Sequence, residues 1–211
     1  LLGRRYSGDE AIIVKGNVPV NFMLQQLLAL HSESRGLLLY TGLERYVLSV
    51  LKTPMHRRWV GNVSGQLAGG IHVTPGLGQP DPRQLTPAQA AACLWAAQML
   101  RFRAALDQNP SLRSLDCEVF FSNPAATLTN SLRHFGVTLS SSEADDIAAS
   151  ELFSHHAKDT ARQYSRDQRE QELEQLRSTL ADDLDAARQW IEDAGLSDLT
   201  LPEASAVDHS R

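Results

Sequence analysis

Two short, continuous apolar runs separated by a helical pattern constrain the fold of this chain more than any other feature. Residues 11–15 read AIIVK and residues 36–40 read GLLLY, and both have the length and composition of strands buried on two faces. Between them, apolar residues recur on one face over residues 23–30, as in a helix. Two such strands joined by a helix form a right-handed crossover, so the sequence predicts an α/β fold with a parallel sheet flanked by helices.

Ligands in open parallel sheets bind beyond the carboxyl ends of the strands. The predicted ends are residues 15–17, with Lys15 as the last residue of the first strand, and residues 40–42 at the end of the second. We therefore expect binding residues at these two places.

Capping signals and periodicity predict the remaining elements. Thr86, Pro87 and Gln89 form a capping-box pattern that begins a helix ending near residue 108. Residues 113–117 predict a third, less apolar strand. Over residues 166–194, leucines recur at spacings of three and four, which predicts one long amphipathic C-terminal helix.

Three units are expected: an α/β domain over residues 1–165, a helical extension over 166–199 and a tail over 200–211. The Gly- and Pro-rich residues 61–82 predict a long surface loop that could act as a lid. The first residues carry neither an initiator Met nor a targeting pattern, so we expect the chain to begin part-way through its fold.

Composition narrows the class of partner. The net charge of −5 argues against binding to a nucleic-acid backbone, and no apolar run approaches the roughly 18 residues that span a bilayer. Cys93 and Cys117 form neither a metal-ligand spacing nor a disulfide framework. We expect a cytoplasmic protein that acts on a small molecule, without a nucleic-acid or membrane partner. A homodimer that forms through its helices is a further expectation.

Lys15 and Ser49 are the first candidate binding residues. A cation at a strand end can neutralise a phosphate or sulfate group, but a lysine there can also extend into solvent. The Ser49 hydroxyl, on the helix after the second strand, can donate to a phosphate. A small residue at that position is equally explained by close packing of the helix on the sheet.

The densest basic cluster consists of Lys52, His56, Arg57 and Arg58. Guanidinium groups suit bidentate phosphate recognition, whereas a solvated helix face is the alternative explanation for such a cluster.

The sequence shows no recognisable motif for a metal site, a phosphate-binding loop or a hydrolase nucleophile. Neighbouring histidines such as His155 and His156 point about 100° apart on a helix, so they make a poor metal pair, and we expect surface histidines and no metal. The sequence contains no Gly-x-x-x-x-Gly-Lys-Ser/Thr loop and no Gly-x-Ser-x-Gly elbow.

Three stretches in order resemble the sulfotransferase-like family of the P-loop nucleotide-binding fold. Residues 13–17 resemble the family's strand that ends in Lys, and residues 38–50 resemble its strand and helix that bind a 3′-phosphate. Residues 115–118, 123–124 and 134–136, which read LDCE, NP and HFG, resemble its late segment. Together they cover about residues 1–165.

The resemblance implies 3′-phosphoadenosine-5′-phosphosulfate as co-substrate. Ser49 matches the serine that contacts the 3′-phosphate. The family's usual Arg, eight residues earlier, is replaced here by Thr41, so Lys52, Arg57 or Arg58 would supply the positive charge.

The implied reaction moves a sulfuryl group to a hydroxyl or amine acceptor. Lys15 would neutralise the departing bridge oxygen and residues 61–82 would cover the acceptor, while no general base can be assigned. The family's phosphate loop is expected before Leu1, so this segment alone would be inactive. The alternative is a non-catalytic interaction protein of the same fold, acting through the helix over residues 173–191.

Overall fold

The computed structural model describes residues 13–150, 155–156, 159–163, 166–202 and 206–207, with side chains from Gln168 onward in the last helices. In chain order the elements are a 3-10 helix Val18–Met23, α1 Leu24–Leu28, β1 Gly36–Tyr40, α2 Leu43–Leu51, α3 Pro54–Gln66, α4 Ala68–His72, a 3-10 helix Pro82–Gln84, α5 Pro87–Gln108, β2 Leu112–Asp116, α6 Cys117–Ser122, α7 Pro124–His134, α8 Ser141–Ala148, β3 His155–His156, β4 Asp159–Gln163, α9 Arg166–Thr179 and α10 Ala181–Asp193.

Helix α5 forms the centre of the core. The predicted capping box is confirmed: the Thr86 side chain accepts from the Gln89 amide, and the Gln89 side chain accepts from the Thr86 amide at 3.1 Å. Fifteen of the 22 residues of α5 are buried, so the helix is enclosed on nearly all sides rather than on one stripe. Its many alanines let α2, α3 and α10 pack directly against it.

Strands β1 and β2 form a parallel sheet of two strands, and β3 and β4 pair separately as an antiparallel sheet. Strands β1 and β2 pair in register, with Gly36 opposite Leu112 and Tyr40 opposite Asp116. Ala206 adds a parallel bridge to Ser114 on β2. The prediction of a parallel sheet flanked by helices is confirmed at this coarse level: the protein is mostly helical with a small parallel sheet and a C-terminal helix. The predicted third strand is present one residue earlier than expected.

The predicted first strand is wrong over its described part. Residues 13–17 are irregular, Ile13 is 64% exposed and Val14 is 60% exposed; residues 11 and 12 lie outside the described residues. An apolar run forms a buried strand only where other elements cover it, and among the described residues none covers this one. The crossover therefore leads from β1 to β2, and Lys15 does not end a strand.

The predicted long loop over residues 61–82 is also wrong. Helix α3 continues to Gln66 and α4 follows it, so the irregular stretch is confined to residues 73–81. Val60, Val63 and Ile71 are buried in the core. Their burial outweighs the low helix propensity of the neighbouring glycines.

The long C-terminal helix is divided in two. The chain leaves helical geometry at Leu180, where φ is −110° and ψ is 23°. Beyond it, α10 buries Leu184, Ala187 and Ile191 in the same core as α5.

The predicted tail is in part ordered. Leu201 and Val207 are buried, and the Val207 amide donates to the Ser114 carbonyl at 2.9 Å. Residues beyond 165 thus share one apolar core with those before it.

Replacing Leu184 by Ala should lower the free energy of unfolding by about 2–5 kcal/mol, because it removes buried methyl groups and leaves a cavity against α5. Leu39→Ala is the matched control, since Leu39 is 54% exposed, and its effect should be much smaller. Urea denaturation measures both. Equal effects would contradict the packing of α10 on α5.

Candidate functional site

The carboxyl ends of β1 and β2 lie side by side, and a helix begins at each. Tyr40 and Asp116 are register partners at these ends. Helix α2 begins at Leu43, after Thr41 and Gly42, and α6 begins directly after Asp116. The Asp116 carboxylate accepts from the Glu118 amide at 2.8 Å and so caps α6. We call this place, where both strands end and α2 and α6 begin, the carboxyl edge.

Thr41, at the position where the resemblance expects an arginine, contributes its backbone to the core. Its carbonyl accepts from the Trp95 indole N–H at 2.9 Å. This bond attaches the start of the β1–α2 connection to α5, and it fixes the direction in which α2 leaves the sheet.

Ser49 and Lys52 are exposed on α2 and its C-cap. A spacing of three places them on the same helix face, and Arg45, one turn before Ser49, shares that face. The packing explanation for Ser49 is therefore wrong, because its side chain faces solvent while its neighbours Leu48 and Val50 are buried.

The basic cluster is divided by the structure. Arg57 donates to both carboxylate oxygens of Asp183 on α10, at 3.1 and 2.5 Å, and this hydrogen bond raises the pKa of Arg57. Arg58 is exposed, and Thr53 caps α3 by accepting from the His56 amide. Arg57 thus stabilises the contact of α3 with α10, which leaves Lys52 and Arg58 as the cations of the cluster that face solvent.

Lys15 is exposed. Within the described part of the chain, no hydrogen bond or ion pair joins it to Ser49, Lys52, Arg57 or Arg58. The side chains of His155 and His156 lie outside the described residues, as does Lys158.

Sequence reasoning missed an ion-pair network at the carboxyl edge. One oxygen of Glu118 on α6 forms an ion pair with Arg45 at 3.0 Å and accepts from Arg169 of α9 at 2.7 Å. Arg45 also donates to Glu170 at 3.2 Å, which lowers the pKa of Glu170. The charge-rich sequence of α9 was the available signal, but nothing in it indicates which distant partners the charges have.

A second group of ion pairs lies beside the first. Glu44 accepts from Arg177 of α9 at 2.6 Å and from Arg188 of α10 at 2.7 Å. The hydrogen bond from Arg177 is the main reason that the pKa of Glu44 is lowered. Helix α2 is thus attached to both C-terminal helices through one carboxylate.

A shallow cavity of about 450 Å³ lies elsewhere, along residues 72–79. None of the predicted site residues lines it. Among the described residues, no group of three or more His, Cys, Asp or Glu side chains could hold a metal ion. Nor is any described helix long and apolar enough to cross a membrane.

Comparison with known proteins gives no match to a family model, to a curated protein or to a solved structure. The likeness to the sulfotransferase-like family therefore stays a prediction from the sequence.

The lowered pKa of Glu44 predicts a pH dependence of stability. A carboxyl group whose pKa is lower in the folded state stabilises the fold above its unfolded pKa, near 4.3, and this contribution is lost as the pH falls through the folded value. Wild type should exceed Glu44→Gln in free energy of unfolding at pH 7 by about 1 kcal/mol or less, because the pair is partly exposed and screened. The difference should shrink as the pH falls from the unfolded pKa through the lowered folded pKa of Glu44.

Urea denaturation at several pH values measures this dependence. Glu33→Gln is the control, since Glu33 is exposed and forms no ion pair with a described residue. A difference between wild type and Glu44→Gln that is the same at pH 7 and pH 3 would contradict the assignment.

Proposed function

We propose that this chain is a sulfotransferase-like α/β domain that binds the 3′-phosphate end of 3′-phosphoadenosine-5′-phosphosulfate and takes part in sulfuryl transfer to a hydroxyl or amine acceptor. The observation that carries the proposal is the parallel pair β1–β2, with α2 beginning at its carboxyl edge. Such edges are where doubly wound α/β folds bind nucleotides. Ser49 and Lys52 lie exposed on that helix.

The side chains proposed to contact the donor are those of the predicted site that are exposed to solvent. The Ser49 hydroxyl donates to the 3′-phosphate, and Lys52 and Arg58 provide positive charge in place of the arginine that Thr41 replaces. Arg57 is left out of this set because its guanidinium is already paired with Asp183.

In the proposed reaction the acceptor oxygen or nitrogen attacks sulfur while the bond from sulfur to the bridging oxygen breaks. The bridging oxygen leaves with the electron pair on the 5′-phosphate of the nucleotide, and the acceptor proton passes to a general base. Positive groups fixed near the leaving oxygen lower the barrier. Lys15 remains the candidate for that role, and it would have to approach the donor from its exposed position.

The second candidate function is a non-catalytic interaction protein. The pairing of Arg57 with Asp183 favours it, since it removes one of the expected phosphate ligands. Its expected surface is corrected by the structure, however, because Leu184 and Ile191 of α10 are buried against α5 rather than exposed. An interaction surface would have to lie elsewhere.

Calorimetric titration with adenosine 3′,5′-bisphosphate tests the proposal. We expect binding that adenosine 5′-monophosphate does not reproduce, and Ser49→Ala should weaken it about tenfold, since a hydrogen bond to a charged group contributes roughly 1.5–3 kcal/mol. Ser141→Ala, an exposed serine on α8, is the matched control and should bind like wild type.

The titration is run on the 211-residue chain and on any longer product of the same gene. Failure of every product to bind at about millimolar nucleotide, an affinity near −4 kcal/mol, would refute the donor site and favour the interaction protein. A loss of affinity in Arg57→Gln as large as that in Ser49→Ala would contradict the proposed division of the basic cluster.

A further inference from the structure

Helix α9 is attached to the rest of the protein differently from α10. Over residues 168–179 no side chain is buried, and its apolar contacts with the core come from the half-buried Leu173 and Leu176. In α10, by contrast, Leu184 and Ile191 are buried against α5. Full burial of a leucine stabilises a contact more than partial burial does, so α10 has the larger apolar anchor.

The contacts of α9 are mainly electrostatic. Arg169 donates to Glu118 and its guanidinium lies 4.0 Å from the centre of the Phe121 ring. Glu170 accepts from Arg45, and Arg177 donates to Glu44. Ion pairs with such partial exposure each contribute little to stability, and salt screens them.

These contacts lie on two helices that begin at the carboxyl edge. Glu44 and Arg45 are in the first turn of α2, and Glu118 is in the first turn of α6. Helix α9 therefore covers the carboxyl edge, while the apolar anchor of the C-terminal helices lies beyond Leu180. Leu180 itself is 5% exposed and interrupts the helix, so a rotation there could move α9 without moving α10.

We propose that α9 is a salt-sensitive cover of the carboxyl edge, which opens as a unit about Leu180 while α5 and α10 stay folded. Segments with few buried apolar contacts open at a lower free energy than the core. Opening removes Arg169 and Glu170 from Glu118 and Arg45 and exposes the ends of β1 and β2. That this opening admits a nucleotide rests on the function proposed above; the opening itself does not.

The two cysteines provide a direct assay of opening. Cys117 begins α6 at the carboxyl edge, whereas Cys93 lies in α5 and is 0% exposed. Burial raises the pKa of both thiols, and Arg169 partly offsets this for Cys117. Asp116 and Glu118 raise the pKa of Cys117 further. Relief of burial and screening by salt both lower that pKa and increase the thiolate fraction, so labelling is interpreted together with amide hydrogen exchange, which does not depend on the thiol.

The first experiment compares iodoacetamide labelling and amide hydrogen exchange of the folded chain at about 0.05 M and about 1 M NaCl, between which the screening length falls several-fold. We expect labelling of Cys117 and exchange over residues 168–179 to accelerate about tenfold, because several screened ion pairs act together. Cys93 and the amides of α10 should stay protected. Cys117→Ser assigns the labelling signal.

The second experiment repeats these measurements at low salt on Arg169→Met, which keeps the apolar stem and removes the charge. It should approach the high-salt rates of wild type. Arg103→Met, an exposed position on α5, is the matched control and should leave both rates unchanged. Glu170→Gln removes the ion pair of α9 with Arg45 and should accelerate both rates to a smaller extent.

The proposal is overturned if α9 and α10 exchange at the same rate at both salt concentrations, or if Cys117 and Cys93 become reactive together. Either result would mean that α9 opens only when the whole chain unfolds. Neither measurement uses a nucleotide, so a failure of donor binding and a failure of the cover are distinguishable.

Discussion

The enclosure of α5 on nearly every side is the constraint on which the rest of the structure depends. A helix that is apolar all round must be surrounded by other elements, because exposing any of its faces costs hydrophobic free energy. Here α2, α3 and α10 surround it. Small side chains such as Ala91, Ala92 and Ala96 are completely buried, so these helices approach its backbone closely. A larger residue at any of these three positions would have to displace a neighbouring helix.

The carboxyl edge obtains its geometry from that core. The bond from Trp95 of α5 to the Thr41 carbonyl fixes the connection between β1 and α2. Charged contacts with α6 and α9 are then added on the outside, where side chains such as Arg45 and Arg169 keep some access to solvent. Apolar burial thus positions the elements, and ion pairs complete the arrangement at the edge at a smaller energetic gain. This division also separates α9, whose contacts are mainly ion pairs, from α10, whose contacts are mainly apolar.

Elements whose signal is local were predictable from the sequence. The capping box at Thr86 and strand β1 follow from short patterns. The exposure of Ser49 and Lys52 was not predictable, because periodicity alone does not reveal which face of α2 another helix covers. Two predictions failed for a related reason. Residues 13–15 and 61–72 have compositions typical of a strand and a loop, and the neighbours that decide their conformation are far away in sequence.

The sequence by itself thus determined where α5 begins, which runs are apolar and that residues 36–40 form a strand. Local backbone preference and the periodic spacing of apolar residues decide these features, and both depend on residues that are close in sequence. Only the tertiary structure decided that β1 pairs with β2, that Arg57 forms an ion pair with Asp183, and that α9 contacts α2 and α6 at the carboxyl edge. These contacts join residues far apart along the chain, and the free energy that selects them comes from the whole packed core rather than from any one segment.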